Sequence, residues 1–281
     1  MRRSLRLWQF NHMAAFGLDF HRAKQAWLFP REKTQGFWRA LGLTLLLFVL
    51  YNVLQAIFGA LIFRYGFGES LDGIIHPNGD STELILRSAL LSILPSFIPI
   101  FLLALWFGKF GLPERQGLLQ LRLPNLGWAG WAVVLVGFVG LMLAFYQVFF
   151  QVLGLNPKDY EGLVEKTIAS IAIEPKMFPF VALSAIVAAP VVEEFVFRGA
   201  LFAALVASPV GRIGALLITS ALFAAVHATG AYWPNLIMIF FIGLFLGLLM
   251  LRFSSIWLTI ICHGTWNALQ TGLLFFVGTQ S

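Results

Sequence analysis

The chain has 281 residues, of which 59% are hydrophobic and only 11% charged, and its mean hydropathy is +0.83. Soluble domains carry about 45–50% apolar and about 25% charged residues, so a water-facing surface cannot be built here and a soluble fold is excluded. Disorder is excluded by the same counts, since disordered chains are poor in aromatics and this one has 29 Phe and 9 Trp.

In chain order, residues 1–35 alternate aromatic and basic residues and read as a basic amphipathic segment lying on the membrane surface, with His12 and His21 interfacial. Arg6 interrupts the opening residues and no apolar core follows, so no signal peptide is expected. A helix rising 1.5 Å per residue needs roughly 20 apolar residues to cross about 30 Å of hydrocarbon. Residues 36–155 hold three such segments, at 37–63, 84–107 and 126–153. Residues 156–177 read as an outer amphipathic linker helix with Leu163, Ile168 and Ile171 on its apolar side. Residues 178–281 form the third unit, with apolar segments at 178–206, 213–228, 236–251 and 255–277, the middle two short. The expected fold is all-α: a polytopic membrane helix bundle of about seven transmembrane helices with a cytoplasmic N-terminus.

Charge placement supports that topology. The net charge is +6, and eight of the 19 Lys and Arg precede or open the first span, which argues for a membrane surface and against nucleic acid. With the N-terminus inside, the inner segments hold these eight together with Lys109, Arg115, Arg122, Arg212 and Arg252; the outer ones hold only Arg64, Lys158, Lys166 and Lys176. This asymmetry fits an odd number of spans and a multi-pass protein of a cell (inner) membrane. Arg87, near the outer end of the second span, reads as a snorkelling residue without an acidic neighbour. His76 reads as a solvated outer-loop residue. The single cysteine, Cys262, excludes an internal disulfide and any multi-cysteine metal site. Gly243 and Gly247 match the small-xxx-small pattern and read as internal helix packing.

Charges inside a membrane helix cost about 2.5–3.5 kcal/mol each on insertion scales and usually mark function. The fourth span carries three, in AAPVVEEFVFRGAL. Glu194 and Arg198 stand four apart on one face and can form an ion pair. Glu193 lies about 100° round the helix and has no partner within the turn. Pro190 supplies no N–H, so the helix bends or restarts there and lets water approach. The fifth span carries FAAVH, with Phe223 and His227, and the seventh HGTWN, with His263 and Asn267 on one face. Each of these polar groups needs a partner and the others are the available candidates, so one shared site is the economical reading.

A carboxylate and two imidazoles around buried water can run hydrolysis. Glu193 is suited to take a proton from water and return it to a leaving amine. His227, His263 and Asn267 can position the water, or a metal, and stabilise the oxyanion. Two His and a carboxylate are also a zinc complement. A divalent metal such as zinc, held by His227 and His263 with Glu193, and metal-free activation by glutamate both stay open.

EEFVFRG, FAAVH and HGTWN resemble the EExxxRG, FxxxH and HxxxN motifs of the CPBP family of intramembrane proteases, which includes the CAAX-prenyl endopeptidase Rce1 and Abi-type bacterial relatives. The resemblance covers about residues 178–277. It implies that Glu193 activates water with help from Glu194, that His227, His263 and Asn267 orient the water and stabilise the oxyanion, and that Arg198 holds the site together. The expected function is therefore an intramembrane endopeptidase acting on a membrane-embedded or lipidated protein or peptide within the lipid bilayer. The alternatives are an inactive membrane scaffold or immunity-type protein, or a proton-coupled transporter.

Overall fold

The structure is a computed structural model that describes residues 37–106, 123–156, 166, 170–171, 174–207, 210–228 and 232–278. The amphipathic reading of residues 1–35 and most of the proposed linker helix, Leu163 and Ile168 included, lie outside the described residues. Of that linker, Lys166, Ser170 and Ile171 are helical.

Among the described residues every regular element is helical. Helix α1 (Phe37–Leu61) continues into a π-helical turn, Ile62–Gly66, and is followed by the single turn α2 (Asp72–Ile75). Helix α3 (Gly79–Trp106) carries Pro95 and Pro99 in its interior. Helix α4 (Trp128–Leu153) ends at Gly154, whose φ of +63° is the left-handed cap conformation that glycine adopts without a Cβ penalty. Helix α5 (Phe178–Phe202) runs on into Ala203–Ala207. Helix α6 (Gly211–Ala225) is short, α7 (Trp233–Phe253) begins with Pro234 in its first turn, and α8 (Ile256–Gly278) closes the bundle.

Five helical stretches are long and apolar enough to cross a membrane: Leu45–Gly66, Ser81–Leu103, Trp128–Leu153, Phe178–Phe202 and Trp233–Phe253. The other two expected spans are helices, but of a different character. Helix α6 has 15 residues, about 22 Å at 1.5 Å each, too short to cross alone. Helix α8 has 23 residues, but His263, Asn267 and Gln270 dilute its apolar run.

Helix α5 is the axis of the molecule. Its apolar window is 56% buried, against 11% for the first span and 17% for the third. Val191, Val192, Phe195, Val196, Phe197, Leu201 and Phe202 all enter the main core, with Phe223 of α6, Leu246 and Met250 of α7, and Leu258 and Trp266 of α8. Glycines let α7 come close to its neighbours: a Cβ on Gly243 would sit 3.1 Å from the Ser220 backbone, and one on Gly247 would press on the Leu216 side chain. The small-xxx-small pair therefore serves packing within the bundle.

Arg87 differs from its sequence reading. Its Nε donates to Glu83 Oε1 at 3.0 Å, one turn back on α3, and its Nη1 donates to Glu174 Oε2 at 3.0 Å. The acidic neighbour in the sequence was Glu83, at the helical spacing of four, and Glu174 comes from the chain just ahead of α5. The arginine ties that stretch to α3 instead of reaching for water alone.

Candidate active site

The site begins with the irregularity of α5. Ser184–Ala188 and Phe195–Phe202 are π-helical, on either side of the α-helical Ala189–Glu194 that carries both glutamates. Pro190 explains the first of these. Lacking an N–H, it leaves the carbonyls of Ile186, its α-helical partner, and Ala185, its π-helical partner, without their usual donor. Both are met by α8. Asn267 Nδ2 donates to Ala185 O at 2.8 Å. Opposite Ile186, α8 presents Gly264, where a Cβ would lie 2.6 Å from the Ile186 oxygen. The HGTWN motif is thus the surface that receives a proline-broken helix, and Asn267 gives an amide N–H to its backbone.

From this junction α5 and α8 present their charged groups to each other. Glu194 and Arg198 are both fully buried. Arg198 Nη1 donates to Glu194 Oε1 at 2.9 Å, Nη2 donates to the Gly243 carbonyl of α7 at 3.1 Å, and the guanidinium lies 4.5 Å from the Phe223 ring centroid. The i, i+4 ion pair expected from the sequence is present, and two further helices hold it. Charged groups are tolerated at such depth when paired and hydrogen-bonded.

Glu194 Oε1 accepts a second hydrogen bond, from His263 Nδ1 at 3.0 Å. A carboxylate only accepts, so the imidazole proton sits on Nδ1 and the lone pair on Nε2 faces away from Glu194. There it meets Glu193, whose Oε2 is 3.8 Å from His263 Nε2. That gap is too long for a direct hydrogen bond. The Glu193 oxygen is buried and has no hydrogen-bond partner among the described residues, while the side chain as a whole keeps 22% exposure.

His227 lies just past the end of α6, half-buried in a turn. Its Nδ1 is 2.8 Å from the Phe223 carbonyl, an acceptor, so the proton again sits on Nδ1 and the Nε2 lone pair is free. Phe223 joins the parts: its ring meets His227 at 5.0 Å and His263 at 5.8 Å between centroids, both edge-on. The sequence offered Phe223 only as the first letter of a motif. Its contact with Arg198 and both histidines gives it the place of a shared apolar wall. Cys262, next to His263 in sequence, is a free buried thiol.

The structure therefore joins Glu193, Glu194, Arg198 and His263 into one cluster, sets His227 beside it across Phe223, and ties Asn267 to the backbone of α5. The imidazoles suit a metal in one respect, since each has Nδ1 tied and Nε2 free. The ligand set does not assemble, however: among the described residues no group of three or more His, Cys, Asp or Glu side chains is placed to hold a metal ion.

An apolar helical bundle with several candidate spans and a buried carboxylate–imidazole centre defines the class, an integral membrane protein with polar chemistry inside its membrane layer. Residues 175–269, about a third of the chain, match the family described as type II CAAX prenyl endopeptidase Rce1-like, a similarity that agrees with the resemblance of the three motifs. No curated protein and no solved structure matches the chain.

Proposed function

We propose that the protein is an intramembrane endopeptidase that hydrolyses a peptide bond of a membrane-embedded or lipidated substrate with water activated by Glu193 and His263. The observation that carries this reading is the facing pair of acceptors, Glu193 Oε2 and His263 Nε2, 3.8 Å apart. A water about 2.8 Å from each completes a triangle on that base. Both of its hydrogens are then taken by acceptors, and a lone pair is turned outward to a substrate carbonyl.

As the water oxygen bonds to the carbonyl carbon, one proton passes to the Glu193 carboxylate and the carbonyl oxygen becomes an oxyanion. Collapse of that intermediate breaks the C–N bond, and Glu193 returns the proton to the leaving nitrogen, giving an acid and an amine. Glu194 fixes the tautomer of His263, and Arg198 holds Glu194 in place. His227 supplies a further Nε2 to orient water or, when protonated, to donate to the oxyanion. Asn267 positions the α5 backbone through its Nδ2 bond to Ala185 O.

The test is cleavage of a membrane-anchored substrate peptide by the purified full chain in proteoliposomes. Candidate peptides come from comparing membrane and secreted proteomes of wild-type and Glu193→Ala cells. Glu193→Ala is expected to lower the rate at least about 100-fold, and treatment with a zinc chelator to leave it within about twofold. Undiminished cleavage by Glu193→Ala excludes the base, and loss of activity on chelation that returns with added zinc excludes the metal-free route. A cellular phenotype that survives Glu193→Gln with His227→Ala favours the scaffold instead.

A further inference from the structure

On the side of α7 turned away from the site lies a groove of about 370 Å³, shared with α4. Its walls are apolar: Val133, Gly137 and Leu141 from α4, Phe245 and Leu249 from α7. At one end stands a single cation, Arg252, in the last turn of α7 and half-buried. Gly243, which contacts Arg198, and Arg252 are nine residues apart, about 180° round a helix of 3.6 residues per turn. The groove and the Glu194–Arg198 pair therefore occupy opposite faces of α7.

Arg252 differs from the two arginines held in ion pairs. Arg87 is held by Glu83 and Glu174, and Arg198 by Glu194. Arg252 lies over the Phe253 ring, 5.1 Å from its centroid, and has no ion-pair partner among the described residues. It is also at the end of a span, where the membrane surface lies, and from Arg252 the groove runs back to Phe245 over about 10 Å of helix. An apolar slot of that depth, open to the hydrocarbon and topped by an unneutralised guanidinium at headgroup level, matches one molecule in both parts. The slot takes the upper part of an acyl chain and the guanidinium takes a phosphate.

We infer that the α4–α7 groove is a binding site for one anionic glycerophospholipid, its phosphate on Arg252 and an acyl chain along Gly137 and Leu249. Basic pockets between transmembrane helices select anionic headgroups through the same pairing of charge and apolar wall. Gly137 fits this use, since a Cβ there would meet nothing within 4 Å, so the wall leaves room for a chain. The site stands apart from the proteolytic reading, and failure of the cleavage assay leaves it standing.

Native mass spectrometry of the full chain, released from nanodiscs of equal phosphatidylglycerol and phosphatidylcholine, tests it. The wild type is expected to retain one phosphatidylglycerol with a preference of about fivefold, the size expected of one cation near an anionic surface. Arg252→Gln should bring the preference close to one, Arg252→Lys should keep most of it, and Gly137→Trp should remove the bound lipid while the helical circular dichroism stays at the wild-type level. Equal retention of the two lipids by the wild type overturns the proposal. So does an unchanged preference in Arg252→Gln, or displacement of the lipid by inorganic phosphate, which would mark an anion site without a chain.

Discussion

Among the described residues two arginines follow a glutamate by four residues and pair with it. Glu83–Arg87 sits near the end of α3, with the side chains 53% and 18% exposed. Glu194–Arg198 sits in α5, with both at 0%. The sequence spacing is the same and the surroundings decide what the pair does. On α3, whose apolar window is 22% buried, the pair remains in reach of water and serves as a peripheral tie to Glu174. In α5 the residues from Phe195 to Phe202 are all buried, so the pair is completed by the Gly243 carbonyl, the Phe223 ring and His263. The outer helices meet the membrane mainly with apolar side chains, and the fully buried charged pair belongs to the central one.

The contrast can be broken at Arg198, where the largest stability effect is expected. Arg198→Met leaves Glu194 buried without its counter-charge and should lower stability by about 3–5 kcal/mol, measured by thermal unfolding in detergent; Glu194→Gln in the same chain should restore part of it. A smaller loss is expected at the α5–α8 junction. Gly264→Ala drives a methyl to within 2.6 Å of the Ile186 oxygen, and backbone shifts of that kind cost about 1–3 kcal/mol. Asn267→Ala orphans the Ala185 carbonyl, at a similar cost. The smallest effect belongs to Arg87→Met, which should lower stability by no more than about 1 kcal/mol and leave cleavage intact, since exposed ion pairs contribute little. If Arg87→Met matched Arg198→Met in effect, the distinction between rim and centre would fail.

Parts of this architecture could be read from residue order and parts could not. Long apolar runs give helices directly, because lipid leaves the backbone no other partners. The Glu194–Arg198 pair follows from spacing alone. Helix α8 was legible as a helix, but the polar residues that give it a role also dilute its hydropathy. Glu174 is remote from Arg87 in sequence, and no periodicity links them. The use made of Asn267 was hidden for another reason: its acceptor exists only because Pro190 changes the hydrogen-bond register of α5, and a one-residue change of helical period leaves no mark in composition. Phe223 carried no polar signal of its own, yet its buried ring is the surface on which Arg198, His227 and His263 meet.

The central claim is that Glu193 and His263 act on one water. A double-mutant cycle on cleavage rate tests it most directly, because groups that work as a unit are strongly non-additive. With Glu193→Ala and His263→Ala each lowering the rate about 100-fold, the double variant should be no slower than the worse single one, at unchanged helical content. A double variant slower by the full product of the two losses would mean independent action, and the shared-water account would be wrong.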